Sequence, residues 1–361
     1  MIKAKSEELQ RAVRVLENVP VKPGIPSSEM IRLQRTKAGL KMSLASEVSG
    51  VAELKLDGNW NLKDSFFVDR KILSPFVLSA SKKQEVSIVL ASKGDTNVAS
   101  IKIGRRSLKL VNGVITAGYI DVPTEKMRKI KFSPGTKKLI ELARYFGSTG
   151  NELPQLECVY VSSDGYVMSS CDTLVFCGKD NAGFGDQLHI PLASVPMVCD
   201  SQIQGIFTTK QALIVDYGYG TLIQAFPSRI KKDFPAKRIS KMVLDSNDPT
   251  VGVFDATKLV ELFKRFNRYL ASVSDKYVTF TGDKSDALVK IKAEAGTAIF
   301  TETVRKGVTV KKDFEFKLPL EGVAAFINHA AERSKPISVK VNEAMTSLIS
   351  EDMTLLIARR K

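Results

Sequence analysis

Thr257-Lys258-Leu259-Val260-Glu261-Leu262-Phe263-Lys264-Arg265-Phe266 decides how this chain is read, because its order of apolar and charged types occurs again elsewhere. Roughly 120 positions earlier stands Lys137-Lys138-Leu139-Ile140-Glu141-Leu142-Ala143-Arg144-Tyr145-Phe146. A fainter copy, Glu8-Leu9-Gln10-Arg11-Ala12-Val13-Arg14-Val15-Leu16, keeps the leading Leu, the basic residue five positions on and the closing apolar residue. Repetition at about a third of the chain is longer than a solenoid period and points to triplicated domains. Each copy should head one domain.

At roughly 100° per residue, Leu259, Leu262, Phe263, Phe266 and Leu270 share one stripe, and Lys258, Lys264, Arg265 and Arg268 share the opposite arc with Glu261. In the second copy Leu139, Leu142, Ala143 and Phe146 form the stripe, and Lys137, Lys138 and Arg144 the arc around Glu141. These are amphipathic helices with a basic outer face. One such face is as readily a solvated surface as a binding one; three in equivalent places favour binding.

The 361 residues, 43% hydrophobic and 26% charged, hold apolar material for two or three cores of ordinary size. Fifty-four Lys and Arg against 39 Asp and Glu give a net charge of +15 and a pI near 9.5, a balance that favours a polyanionic partner. No apolar run is long enough to span a bilayer, and the charged N-terminus lacks a signal-peptide core, so a cytoplasmic protein is expected. Cys158, Cys171, Cys177 and Cys199 form no C-x-x-C pair and read as free thiols rather than metal ligands. With only His189 and His329 in the chain, and no Walker, Rossmann or H-E-x-x-H pattern, the sequence reads as a binder without cofactor or metal rather than an enzyme.

In order, Ser6 to about Val19 reads as a helix with Ser6 as N-cap, followed by strands at Met30 to Arg35, Leu40 to Ala45 and Val48 to Leu56, a helix capped by Asp69, and strands at Glu85 to Leu90, Ser100 to Ile103 and Ser107 to Val111. The middle third repeats this order from Ser133-Pro134, with a second helix expected to open at His189-Ile190-Pro191-Leu192-Ala193-Ser194-Val195. The last third repeats it again from Asp255, and Leu318-Pro319-Leu320-Glu321-Gly322-Val323 matches the Ile190 to Val195 run. Thr124 to Lys131 and Pro235 to Thr250 are polar and read as linkers, which divides the chain into domains at 1–131, 132–250 and 251–361.

Three successive domains, each helix, strands, helix, strands, resemble the bacterial-type DNA sliding clamp, the beta subunit family of DNA polymerase III, over the whole chain. The likeness is clearest in Lys138 to Phe146, in Asp164 to Cys177 followed by His189-Ile190-Pro191, in Lys232-Asp233-Phe234-Pro235-Ala236-Lys237-Arg238, and from Phe314 to the C-terminus. It lies in order and hydrophobic pattern more than identity, as in a divergent bacterial or phage member.

The resemblance implies an α+β fold and a head-to-tail homodimer, six domains in a ring around duplex DNA, serving a replicative polymerase and a clamp loader. The basic arcs would then face the phosphates, where Lys and Arg attract without reading sequence; the candidates are Arg11, Arg14, Lys137, Lys138, Arg144, Lys258, Lys264, Arg265 and Arg268. Carried over by position, a pocket for short partner peptides would involve Cys171, Asp172, Thr173, Leu174, Pro235, Leu355, Leu356, Ile357, Ala358 and Arg359. Here Ser169-Ser170-Cys171-Asp172-Thr173-Leu174 stands for the family's Thr-Asp-Gly-His-Arg-Leu, and the chain ends Ile357-Ala358-Arg359-Arg360-Lys361 rather than Met-Pro-Met-Arg-Leu. Leu355 to Ile357 read equally well as a terminal core strand. Ring closure would join an edge strand carrying Arg106, Leu108 and Leu110 to Tyr269 and Leu270 of a second copy. Two other readings stay open: a monomeric nucleic-acid-binding or structural protein, and a nucleic-acid enzyme with its site in the middle domain.

Overall fold

The structure is a computed structural model, and it describes residues 2–19, 21, 25–36, 39–46, 48–55, 65–93, 96–111, 127–148, 153–181, 187–209, 212–225, 234–244, 248–273, 276–295 and 297–359. The first third runs β1 (Ile2–Lys5), α1 (Ser6–Glu17), α2 (Pro26–Glu29), β2 (Met30–Thr36), β3 (Gly39–Ala45), β4 (Val48–Lys55) and β5 (Phe66–Asp69). It continues with α3 (Arg70–Leu78), β6 (Glu85–Lys93), β7 (Thr96–Ile103) and β8 (Arg106–Val111). The middle third runs β9 (Arg128–Ile130), α4 (Pro134–Ala143) with a 3-10 turn to Phe146, β10 (Cys158–Val161), β11 (Tyr166–Ser170) and β12 (Leu174–Lys179). Then come β13 (Leu188–Pro191), α5 (Val195–Cys199), β14 (Gly205–Thr208), β15 (Ala212–Asp216), β16 (Thr221–Ala225) and α6 (Ala236–Leu244). The last third runs β17 (Thr250–Phe254), α7 (Ala256–Tyr269), β18 (Tyr277–Asp283), β19 (Leu288–Ala295), β20 (Ala298–Val304) and β21 (Val308–Val310). It ends with β22 (Phe314–Pro319), α8 (Leu320–Glu332), β23 (Ile337–Val341), β24 (Met345–Ser350) and β25 (Met353–Ala358).

Local chemistry sets the helix starts. The Asp69 side chain accepts from the Lys71 N–H at 2.7 Å, Ser133 from Thr136 at 2.9 Å, and Asp255 from Thr257 and Lys258 at 2.8 and 3.4 Å, so each satisfies amides that have no intrahelical partner. The first helix differs from expectation. Its N-cap is Lys5, and Ser6 instead donates its hydroxyl to the Ser81 carbonyl at 2.5 Å.

The chain divides into two compact units, 1–131 with 196–227 and 132–195 with 228–361. The first holds a four-stranded sheet in the order β1-β6-β7-β8 and an eight-stranded sheet β5-β2-β3-β4-β16-β15-β14-β9. The second holds a nine-stranded sheet β13-β10-β11-β12-β25-β24-β23-β17-β21 and a four-stranded sheet β20-β19-β18-β22. Each large sheet is thus built by two successive thirds, joined at β4–β16 in one unit (Val51 opposite Thr221) and at β12–β25 in the other (Val175 opposite Leu356). The apolar helix stripes close over the sheets. Leu9 and Leu16 of α1, Leu139 and Ile140 of α4, and Leu262 and Phe266 of α7 are all buried, each contributing about 1.5–3 kcal/mol.

Two further expectations are corrected. The Ile190 to Val195 run does not open a helix: it is the end of β13, a 3-10 turn over Leu192–Ser194 and then the short α5. Pro191, like Pro319 at the end of β22, has no N–H to continue a ladder, so both copies are strand-to-helix junctions. The stretch Pro235 to Thr250 is not a linker. It folds as α6 and the start of β17, because Phe234, Ile239 and Val243 find an apolar surface on Tyr160, Met168 and Cys177. The other linker carries β9 at its end, while 124–126, the Lys232-Asp233 pair and Arg360-Lys361 lie outside the described residues.

Candidate nucleic-acid interface

The α1 helix buries Leu9, Ala12, Val13, Val15 and Leu16, which leaves Arg11 and Arg14 exposed on its other side. Arg11 is held by Glu7 at 2.6 Å, one turn back, and its guanidinium lies 5.8 Å above the Tyr219 ring. Arg14 makes no ion pair among the described residues. The orientation of α1 is fixed from α3 by Arg70, whose guanidinium donates to the Glu17 carboxylate at 3.0 Å and to the Glu17 and Val19 carbonyls at 2.7 Å each. A cation placed on the last carbonyls of α1 also suits the negative end of its dipole.

Lys138 of α4 and Arg144 of the 3-10 turn that follows it are exposed and carry no ion pair among the described residues, while Lys137 is half-buried. The first turn is fixed by Asp180, which accepts from the Ser133 hydroxyl and, at 2.5 Å, from the Thr136 hydroxyl. Lys138 also borders a cleft of about 390 Å³ with Lys179, His329, Arg333 and Asp352. Burial lowers the His329 pKa, and the nearby Arg333 and Lys138 cations push the same way.

On α7, Lys264 and Arg268 are exposed and unpaired among the described residues. Lys258 bonds Glu261 at 3.3 Å, and Arg265 makes a two-pronged pair with Glu302 of β20, Nε standing at 3.2 Å. Eight of the nine candidate cations therefore fall into two kinds. Arg14, Lys138, Arg144, Lys264 and Arg268 can meet a phosphate at no cost in existing pairs; Arg11, Lys258 and Arg265 must first exchange a carboxylate.

Among the edge strands of the four sheets are β8 in one unit and β20 in the other, each pairing on one side only among the described residues. On β8, Arg106 is exposed, donates to the Ser79 hydroxyl at 2.9 Å and lies over the Phe76 ring; Leu108 is half-buried and Leu110 buried. Beside β20, Tyr269 stacks on Phe300 with ring centroids 4.7 Å apart, and Ile299 is 61% exposed. Leu270 is fully buried in its own core.

The carried-over peptide residues come together where β12 and β25 pair. Leu174 stands opposite Ile357 and Val175 opposite Leu356, and the Ala358 N–H donates to Thr173 at 2.9 Å. Asp172 and Thr173 are exposed on the turn before β12, Cys171 is half-buried there, and Pro235 is exposed at the start of α6. Arg359 donates to the Asn342 carbonyl at 2.8 Å. Leu355, Leu356 and Ile357 are buried, as a core strand requires, and Leu174 packs so closely on Gly322 of α8 that a Cβ there would collide with it.

A scan against protein-family models finds no match, and a search of curated proteins by sequence finds none either. Solved structures do match in three dimensions. The DNA polymerase sliding clamp of Caulobacter crescentus has a TM-score of 0.80 at 13% identity, covering 100% of this chain and 99% of that one. The DNA polymerase III subunit beta of Pseudomonas aeruginosa has a TM-score of 0.79 at 14% identity, covering 100% of both. The chain has the bacterial sliding-clamp fold.

On that clamp fold, the sequence reading missed Arg70, Asp180 and Tyr219, each of which orients a candidate helix or its cation from a distant part of the chain. Only Asp180 had a local signal, a carboxylate just past an apolar strand. Among the described residues, no group of His, Cys, Asp or Glu could hold a metal ion, and no helix is long and apolar enough to cross a membrane.

Proposed function

We propose that this chain is a DNA polymerase processivity factor, a sliding clamp that encircles duplex DNA without reading its sequence and tethers a replicative polymerase. Three domains, 1–131, 132–250 and 251–361, make half of a ring, and two copies close it head to tail through the β8 and β20 edges. Leu108, Tyr269 and Ile299 supply apolar contact there, and backbone pairing extends one continuous sheet. A clamp loader opens the ring, and short partner peptides bind beside the β12–β25 junction. The protein carries out no reaction, needs no cofactor and works in the cytoplasm.

The observation that carries this reading is the set of exposed cations without an ion pair among the described residues, Arg14, Lys138 with Arg144, and Lys264 with Arg268, on or directly after the three helices whose sequences repeat. Phosphate contacts of this kind are sequence-independent and labile to salt, which permits sliding. Full-length likeness to clamps from two bacteria supports it. The test is mass in solution together with electron-microscope images. A species of about twice 39.7 kDa showing a ring with a central hole is expected; a monomer at micromolar concentration, or particles without a hole, would refute the assembly.

A further inference from the structure

The inward side of β20 is fastened to α7 at two points. Val304, Glu302 and Phe300 stand opposite Val289, Ile291 and Ala293 of β19, all three of them buried, so the β20 residues share the core-side face of their sheet. Phe300 stacks on Tyr269, and Glu302 pairs with Arg265. Beyond that ion pair, towards the start of α7, helix and strand enclose a cavity of about 730 Å³, a size that holds a small molecule. Its apolar floor is Phe254, Leu259, Leu262 and Ile291, all buried, with half-buried Val304 beside them.

One wall is the turn Arg305-Lys306-Gly307 between β20 and β21, which is seated on the first turn of α7. The Gly307 carbonyl accepts from the Asp255 N–H at 2.7 Å, and at its φ of +77° a Cβ on Gly307 would stand 3.0 Å from the Lys258 side chain. Seven charged side chains line the cavity, and five are already engaged. Asp255 caps α7, Lys258 bonds Glu261, and Arg265 bonds Glu302. The two left over, Arg305 and Lys306, are both cations; they are exposed and make no side-chain hydrogen bond or ion pair among the described residues. An apolar floor thus meets uncompensated positive charge on an anchored turn.

We propose that this cavity binds a small amphipathic anion, an apolar body with a single anionic group, its body on Leu259, Leu262 and Val304 and its charge on Arg305 and Lys306. A bare inorganic ion would leave the floor uncovered, and a neutral hydrocarbon would leave both cations unanswered. A duplex is too wide to enter. The inference does not depend on the clamp reading.

The probe is anilinonaphthalenesulfonate, followed by its fluorescence on the full-length protein, with phenylnaphthylamine, the same ring system without the sulfonate, as the neutral comparison. The sulfonate should bind the wild-type protein more tightly than the amine. R305E/K306E should weaken the sulfonate about tenfold and leave the amine within about twofold, while V304W, which fills the cavity, should weaken both. On binding, hydrogen exchange should slow at the α7 and β20 amides and not at those of β8. If R305E/K306E does not fold, R305Q/K306Q should show a smaller loss in the same direction. Equal affinities of the two probes, sulfonate binding unchanged in the folded variants, or slowed exchange confined to elements other than α7 and β20 would overturn the proposal. So would a duplex oligonucleotide whose affinity falls as far as the sulfonate's in R305E/K306E, because the two cations would then belong to the DNA surface. Retention of the wild-type protein on circular DNA reports on the clamp reading separately, so the two can fail independently.

Discussion

Arg70 should be the residue on which the α1–α3 pair depends. Its guanidinium, in a residue 8% exposed, makes three hydrogen bonds to the end of α1, and Ser74 donates to the same Glu17 carboxylate at 2.6 Å. Removing one partner of a buried ion pair costs about 3–5 kcal/mol, because the other is left uncompensated. The Glu17 side chain is 37% exposed and regains water, so Arg70→Ala should cost roughly 2–3 kcal/mol. Arg70→Met, which keeps the apolar stem, should lose nearly as much. Glu17→Gln, which keeps the carbonyl contacts, should lose less. A chain of two units is not suited to a single unfolding midpoint, so the assay is hydrogen exchange. The α1 amides should exchange roughly 30- to 150-fold faster in Arg70→Ala, with those of β18 in the other unit unchanged. Acceleration of less than about threefold would show that α1 is held by its apolar stripe alone.

Three further outcomes follow from the site. Charge reversal at Lys138, Arg144, Lys264 and Arg268 should weaken binding to linear duplex for every sequence and flatten its salt dependence by about 0.9 per lost phosphate contact in a log–log plot; Arg265→Ala, already paired with Glu302, should change that slope little. Leu108→Asp with Ile299→Asp should give folded monomers by light scattering, whereas adding Leu110→Asp, at a buried position, should also speed hydrogen exchange of the β7 and β8 amides; a persistent dimer would remove β8 and β20 from the interface. Iodoacetamide at pH 8 should label Cys171 and Cys199 and spare Cys158 and Cys177, whose thiols burial pushes up to about 12; mass spectrometry of native protein that finds the latter pair modified would contradict their placement.

What the sequence disclosed was what depends on near neighbours. Asp69, Ser133 and Asp255 cap helices within three residues of themselves, and the stripes of α4 and α7 repeat at helical spacing, so helix starts and buried faces were legible. The α6 helix was not, because a short segment with three cations after a proline has the composition of a linker until Tyr160 and Met168 supply its apolar partner. The sequence could not separate free from paired cations either. Arg265 and Glu302 are brought together only when β20 returns beside α7, and Arg11 meets the Tyr219 ring across most of the unit's sequence. Among the peptide-site candidates, Leu355 to Ile357 were legible as a terminal core strand, but their pairing with β12 and the face of each side chain required the register.

Enclosure is tested most directly by loading the protein onto nicked circular duplex with a competent loader, raising the salt, and measuring retention before and after the circle is cut to a linear form. Salt weakens every phosphate contact, while a closed ring has no path off a closed circle. Retention on the circle and loss from the linear form are expected; equal retention on both at high salt would contradict a sliding clamp and indicate a protein that grips DNA.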